Sequence, residues 1–270
     1  MEKKTIGQRP ATLLVMAGSD PCGGAGLQAD IRVAAALDCY AMGVVTALTS
    51  QNSCGVIDVW PLDSEKIKAQ VTPLIGDAPI DAVKIGMLGN CETAAVVARL
   101  LDEIGCCNVV VDTLLKSTSG ACLFDGGGGG AFEQVLRRAK VITPNLPEAK
   151  VLLGHDIVSL EDAARELGDR YGGVSVYLKG GHGGGDEVTD CFYNAESGSL
   201  FSMTNSRVDS PNTHGTGCCL STALAVFLGS GISLNEAATK ANLFVNRALR
   251  EGRRYVMWQG HGAAFVRREE

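Results

Sequence analysis

The alternation of short apolar runs with amphipathic stretches constrains this chain more than any other feature. Runs of strand length occur at 12–17, 43–48, 82–87, 108–115, 140–143 and 175–178. Between them, 25–37, 65–75, 92–104 and 132–139 space apolar residues three and four apart with charges interleaved, which is the period of an amphipathic helix. Such alternation predicts a largely parallel sheet, joined by right-handed crossovers and covered by helices on both faces. After Leu178 the pattern changes, because 189–193 and 199–203 flank the turn-rich Asn194-Ala195-Glu196-Ser197-Gly198. That predicts an antiparallel hairpin at the sheet edge. Two helices, 216–228 and 234–250, close the chain. The fold class is α/β, and a chain of 270 residues is expected to form one domain over 1–270, with 1–11 and 252–270 as flexible tails.

A formal net charge of −6 lacks the basic excess that polymeric nucleic acid or an anionic membrane requires of its binder. A local basic pocket for one nucleotide is still compatible with it. Residues 1–9 are basic and 11–18 apolar, loosely like an export signal, but the run is short and meets Asp20 and Pro21 at once. A first β-strand explains it better. No apolar stretch approaches the roughly 20 residues that span a bilayer, so the expectation is a soluble, cytoplasmic protein with neither nucleic acid nor membrane as partner. Ten cysteines without a convincing export signal read as reduced thiols. Cys106/Cys107 and Cys218/Cys219 are adjacent pairs and no Cys-x-x-Cys occurs, so the spacings of zinc ribbons and thioredoxin-like redox sites are missing.

The stretch 212–221, Asn-Thr-His-Gly-Thr-Gly-Cys-Cys-Leu-Ser, runs a glycine-rich turn straight into an apolar helix. Amides at a helix start have no intrahelical partners and carry the positive end of the macrodipole, so Gly215, Thr216, Gly217 and Cys218 can receive a phosphate. Alone, an ordinary glycine turn would read the same way, but other segments keep it company. Thr-Pro-Asn-Leu-Pro-Glu (143–148) leaves a strand and enters a helix with Asn145 and Glu148 on one face. In a kinase such a pair can hold Mg²⁺ through water, and in other proteins it simply starts a helix. Asp112 ends a strand, where ligand-facing residues of open α/β sheets collect, and so does Lys179, followed by Gly180, Gly181 and His182. No Gly-x-x-x-x-Gly-Lys-[Ser/Thr] exists, which excludes a P-loop. Gly18, Asp20 and Ala25 lie in a glycine-rich loop, 17–26, that opens the first helix as a lid or substrate cradle. The glycine run 126–130 reads as a flexible loop.

Together these residues resemble the hydroxymethylpyrimidine and phosphomethylpyrimidine kinases of thiamine biosynthesis, within the ribokinase superfamily. The resemblance runs from about Leu13 to Leu249 and includes Ala-Gly-Ser-Asp-Pro-x-Gly-Gly-Ala-Gly (17–26), Gln-Ala-Asp (28–30), Thr-Ala-Leu-Thr-Ser-Gln-Asn-Ser-x-Gly-Val (46–56), Lys-Ile-Gly-Met-Leu (84–88), Thr-Pro-Asn-Leu-Pro-Glu-Ala (143–149), Lys-Gly-Gly-His (179–182) and His-Gly-Thr-Gly-Cys (214–218). It implies a ribokinase-like fold and ATP-dependent phosphorylation of 4-amino-5-hydroxymethyl-2-methylpyrimidine, then of its monophosphate. It implies Gln51 on the pyrimidine edge, with Met87, Leu114, Gly18, Asp20 and Ala25 around the ring. It further implies ATP at Asp112, Asn145, Lys179 and Gly181, and Mg²⁺ near Glu148, Asn145 and Asp112. Cys218 stands where superfamily sugar kinases carry an aspartate base, and a thiolate there is physically plausible at a helix N-terminus. A homodimer is a further expectation, though the sequence does not give the oligomeric state. Three departures stand out: Asp112-Thr113-Leu114-Leu115 stands for the family's Asp-[Pro/Thr]-Val-Met, Thr118 replaces the family's lysine before Ser119-Gly120, with Lys116 nearby, and the glycine run has no counterpart. A pyridoxal kinase of the same fold and a non-catalytic ligand-binding homologue are the rival readings.

Overall fold

Along the first strand, Leu13, Val15 and Ala17 pack into one apolar cluster and Leu14 and Met16 into another, since successive side chains point to opposite faces. A strand buried on both faces must lie centrally, and it does in this computed structural model, which describes residues 9–115, 124–125, 130–181, 185–256 and 258–268. In chain order the elements are β1 (Thr12–Ser19), α1 (Gly26–Ala36), β2 (Tyr40–Asn52), β3 (Gly55–Pro61), α2 (Ser64–Val71), β4 (Ala82–Ile85), β5 (Gly89–Asn90), α3 (Cys91–Ile104), β6 (Val109–Val111), β7 (Phe124–Asp125), α4 (Ala131–Leu136), β8 (Val141–Ile142), α5 (Leu146–Leu153), α6 (Leu160–Arg170), β9 (Ser175–Leu178), β10 (Glu187–Asn194), β11 (Ser199–Ser206), α7 (Thr216–Gly229) and α8 (Leu234–Gly252).

Among the described residues, nine strands form one sheet in the order β11-β10-β9-β8-β6-β4-β1-β2-β3. From β2 to β9 neighbouring strands pair in parallel. The expected late hairpin is β10–β11, antiparallel and in register from Glu187↔Ser206 to Asn194↔Ser199. A second antiparallel strand, β3, closes the other edge against β2. Helices α2 to α6 cover one face, while α1, α7 and α8 cover the other. No helix among the described residues is long and apolar enough to cross a membrane.

Several boundaries differ from the sequence expectation. The run 108–115 gives a strand only over Val109–Val111: Asp112 N–H still donates to Ile85 O at 2.9 Å, but Leu114 N–H then turns back to the Asp112 carbonyl at 2.8 Å. Within the segment expected as a flexible tail from 252, the described residues 260–264 dock against the body of the fold. His261 N–H donates to Ser53 O at 2.9 Å and Ala264 N–H to His214 O at 3.1 Å, and Ala264 is buried. Lys116, Thr118, Ser119-Gly120, His182 and most of the glycine run lie outside the described residues.

Candidate active site

The parallel strands deliver their chemistry at their C-terminal ends, as open α/β sheets do. Past β6 comes Asp112, past β8 Asn145, and past β9 Lys179. An isolated parallel bridge joins Asn145 to Lys179, so the chain itself sets these two side by side. Lys179 Nζ lies 3.1 Å from Asp112 Oδ1 and 4.0 Å from Glu148 Oε2. Asp112 also accepts from Thr143 Oγ1 at 3.1 Å and from Ser221 Oγ at 3.4 Å.

Burial works against every charge in this cluster, and the pairing decides which survive. The Lys179 and Lys84 ammoniums hold the Asp112 carboxyl below its usual range despite burial. Asp112 and Glu148 in turn hold Lys179 above its own. For Glu148 burial wins, and its carboxyl is raised even with Lys179 beside it. Glu148 is also tied to its helix start: its Oε2 accepts from Asn145 N–H at 2.9 Å, Asn145 Oδ1 accepts from Glu148 N–H at 2.9 Å, and Thr113 Oγ1 donates to Oε2 at 3.0 Å. The Asn145/Glu148 spacing is therefore a capping box.

The glycine turn meets this cluster. Gly215 caps α7 at φ 77° with no side-chain cap, so the first-turn amides have no intrahelical partner, Thr216 N–H reaching only Thr213 O at 3.4 Å. A Cβ on Gly217 would stand 3.4 Å from Lys179 Nζ and 3.6 Å from Asp112 Oδ2. The α7 first turn, the lysine and the carboxylate thus share one corner.

Burial works against the thiolate that the sequence makes plausible at Cys218. Only 4% of Cys218 is exposed, and burial pushes its thiol up to about 12. Lys84 and the Gly26 backbone at the start of α1 favour the thiolate, but Asp30 and Asp112 add to the burial effect. Cys219, by contrast, packs into the apolar core with α8.

On the substrate side, Met87 and Ala47 form a small apolar cluster with Val56, Val59 and Leu114, separate from both main cores. Gly18 abuts it, since a Cβ at that position would stand 3.1 Å from Met87 Sδ. Gln51 is half-buried and pairs across the hairpin with Val56, which places it on the face that carries this cluster. Asp20 accepts from Cys22 N–H at 2.9 Å and from Ala25 N–H at 2.8 Å, and His214 Nε2 lies 3.1 Å from its Oδ2. Burial alone would raise the Asp20 carboxyl, but those hydrogen bonds hold it well below the usual range.

Sequence reasoning missed two features. An open cleft with a volume of about 150 Å³ runs from Lys179 and Gly181 between the β10–β11 hairpin and α7–α8, walled by Val188, Val208, Leu220, Val245 and Leu249. Its apolar walls suit a flat ring. Beneath it Asn242 Nδ2 donates to Tyr177 Oη at 2.9 Å and to Asp190 Oδ2 at 3.1 Å. A polar pair at Asn242 and Asn246, inside an apolar helix stripe, was the available signal. Also missed was a fully buried ion pair, Lys84 Nζ to Asp30 Oδ2 at 2.7 Å.

Amides, an ammonium and carboxylates converge between a cleft and a small apolar pocket, on a mostly parallel sheet of the ribokinase-like fold, and the relatives of this chain make it a kinase. It belongs to the phosphomethylpyrimidine kinase family, whose model matches residues 20–264. The chain is 39% identical to the hydroxymethylpyrimidine/phosphomethylpyrimidine kinase of Rhizobium meliloti, over 93% of this chain and 95% of that one. It is 40% identical to the Bacillus subtilis enzyme of the same name, over 87% and 88%. Among solved structures it resembles Staphylococcus aureus pyridoxal kinase in complex with AMP-PCP and pyridoxal, with a TM-score of 0.83, 29% identity, and 95% and 93% of the two chains covered. It also resembles Clostridium difficile phosphomethylpyrimidine kinase, with a TM-score of 0.75, 31% identity, and 89% and 100% covered.

Proposed function

We propose that the protein transfers the γ-phosphoryl group of ATP to the hydroxymethyl oxygen of 4-amino-5-hydroxymethyl-2-methylpyrimidine, and then phosphorylates the resulting monophosphate to the diphosphate. The observation that carries this reading is the corner where Gly217, Lys179 and Asp112 meet, between the cleft and the Met87 pocket. The substrate oxygen attacks Pγ, the bond from Pγ to the bridging oxygen breaks, and ADP leaves with that oxygen. Amides of 215–218 and the Lys179 ammonium receive the charge on the equatorial oxygens, and the fraction of Cys218 that has lost its own proton to solvent takes the hydroxyl proton and becomes the thiol. The adenine ring occupies the cleft walled by Val188, Leu220 and Val245. Asp112, Glu148 and Asn145 offer the oxygen donors a hard divalent cation takes, and bound Mg²⁺ would neutralise phosphate charge there.

Incubation with Mg-ATP and each of the hydroxymethylpyrimidine, its monophosphate and pyridoxal, with products read by mass, tests the proposal. Two successive additions to the pyrimidine are expected. Pyridoxal is the rival acceptor, supported by the likeness to the Staphylococcus aureus enzyme, and a higher kcat/KM for pyridoxal would replace the proposal with it.

Gln51→Leu is expected to weaken the aminopyrimidine by about 1–3 kcal/mol in kcat/KM, since both a donor and an acceptor are lost and the ligand's polar edge is left unpaired. An unchanged kcat/KM would remove Gln51 from the site. Glu148→Gln should raise the Mg²⁺ concentration for half-maximal rate, measured by titrating Mg²⁺ at fixed ATP. An unmoved midpoint would leave Glu148 with its capping role alone.

A further inference from the structure

The loop 18–26 and the turn 212–218 meet around three side chains that phosphoryl transfer gives no common task. Asp20, Cys22 and His214 present a carboxylate oxygen, a sulfur and an imidazole nitrogen that all lie within 4.8 Å of one another. Asp20 is buried, while Cys22 and His214 are half-buried and leave the cluster an open side. The two backbones that carry it are locked together. A Cβ on Gly24 would collide with His214 Cδ2, and one on Gly215 would collide with Gly24 O. On its far side the His214 backbone is held by the C-terminal segment, with His214 N–H donating to Gly262 O at 2.9 Å and Ala264 N–H to His214 O at 3.1 Å. The donor set is therefore positioned before any ion arrives, which is what a tight site requires.

We propose that Asp20, Cys22 and His214 form a binding site for a thiophilic divalent cation, with Zn²⁺ as the matching ion. One thiolate and one imidazole select against Mg²⁺ and Ca²⁺, which take oxygen, and for zinc, which takes nitrogen and sulfur. Three protein ligands leave a fourth tetrahedral position for water. This site is separate from the oxygen donors Asp112, Glu148 and Asn145. On binding, the Cys22 S–H bond breaks, a metal–sulfur bond forms and the proton passes to solvent. The hydrogen bond between His214 Nε2 and Asp20 gives way to two metal bonds, with the imidazole proton on Nδ1. The ion clamps the substrate loop to the phosphate turn, so occupancy inhibits turnover. That consequence rests on the kinase reading above, whereas the binding does not.

The test titrates the full chain, at micromolar concentration and without nucleotide, with Co²⁺, following the thiolate-to-cobalt charge-transfer absorption and its displacement by Zn²⁺. One equivalent with tetrahedral cobalt bands is expected. Cys22→Ser should abolish the charge-transfer band, and His214→Asn should weaken binding tenfold or more. Cys54→Ser and Cys107→Ser, both at exposed thiols, should retain it, and circular dichroism before metal addition checks that each variant is folded. A band that survives Cys22→Ser, one lost in the exposed-thiol controls, or the absence of saturable binding overturns the proposal, whatever acceptor the kinase uses.

Discussion

Replacing Lys84 by methionine is expected to destabilise the fold by about 3–5 kcal/mol, a large fraction of the total stability of a domain. Both Lys84 and Asp30 are 0% exposed and their charged atoms lie 2.7 Å apart. Thr222 Oγ1 donates to the second Asp30 oxygen at 2.7 Å, so the carboxylate is satisfied only while the lysine is present. Burial opposes the Lys84 ammonium, yet Asp30, with Cys218 and Asp112 near, holds it charged. Methionine fills the volume and leaves Asp30 ionised in the core or forces it to bind a proton. In that variant the folded-state Asp30 carboxyl lies above its unfolded value, so the native state binds the extra proton and stability falls as pH rises. The loss should thus be partly recovered in acid. Lys84→Met combined with Asp30→Leu should restore most of it, since a buried pair exchanged for apolar residues is often neutral. Urea unfolding midpoints at constant m-value measure all three proteins. A single variant within about 1 kcal/mol of wild type would mean that water or a rearranged partner already compensates Asp30.

That pair also marks the limit of what the sequence discloses. Lys84 reads as one residue of an apolar strand and Asp30 as one charge on an amphipathic helix, and nothing local says that they meet across 54 positions. The same holds for Tyr177, Asp190 and Asn242 under the cleft. The central strands were legible because burial on both faces leaves a continuous apolar run. By contrast, β3 carries Asp58, Trp60 and Pro61 on an edge and lacks that run. The acidic, alanine-containing helix α6 was missed for a similar reason, as its buried side is Ala163, Ala164, Leu167 and Gly168, a weak stripe. Asp112, Asn145, Glu148 and Lys179 were readable as candidates because strand ends and glycine turns are local signals. Their mutual geometry was not, and it is the geometry that gives Glu148 a capping box and Cys218 a buried thiol.

Cys218→Ala should lower kcat by roughly 10²–10⁴, the loss typical of a positioned acid–base group, with little change in KM for ATP. Cys219→Ala should leave kcat within a few-fold and mainly cost stability, because Cys219 packs in the apolar core. The buried thiol adds a second, stricter expectation. A base pushed up to about 12 is almost entirely protonated near neutrality, and the fraction able to accept the substrate proton grows tenfold with each pH unit. Wild-type kcat should therefore climb from about pH 7 to 9 with a slope near one on a logarithmic scale, and in Cys218→Ala that slope should vanish along with the rate. Iodoacetamide should likewise modify Cys218 far more slowly than exposed Cys54 and Cys107, since only the thiolate reacts. A large rate loss with a flat wild-type profile would assign Cys218 a hydrogen-bonding role rather than a proton-accepting one. Equal turnover in the two alanine variants would leave the α7 amides, Lys179 and the oxygens proposed to hold Mg²⁺ as the whole of the catalysis, which a loose phosphoryl-transfer transition state permits.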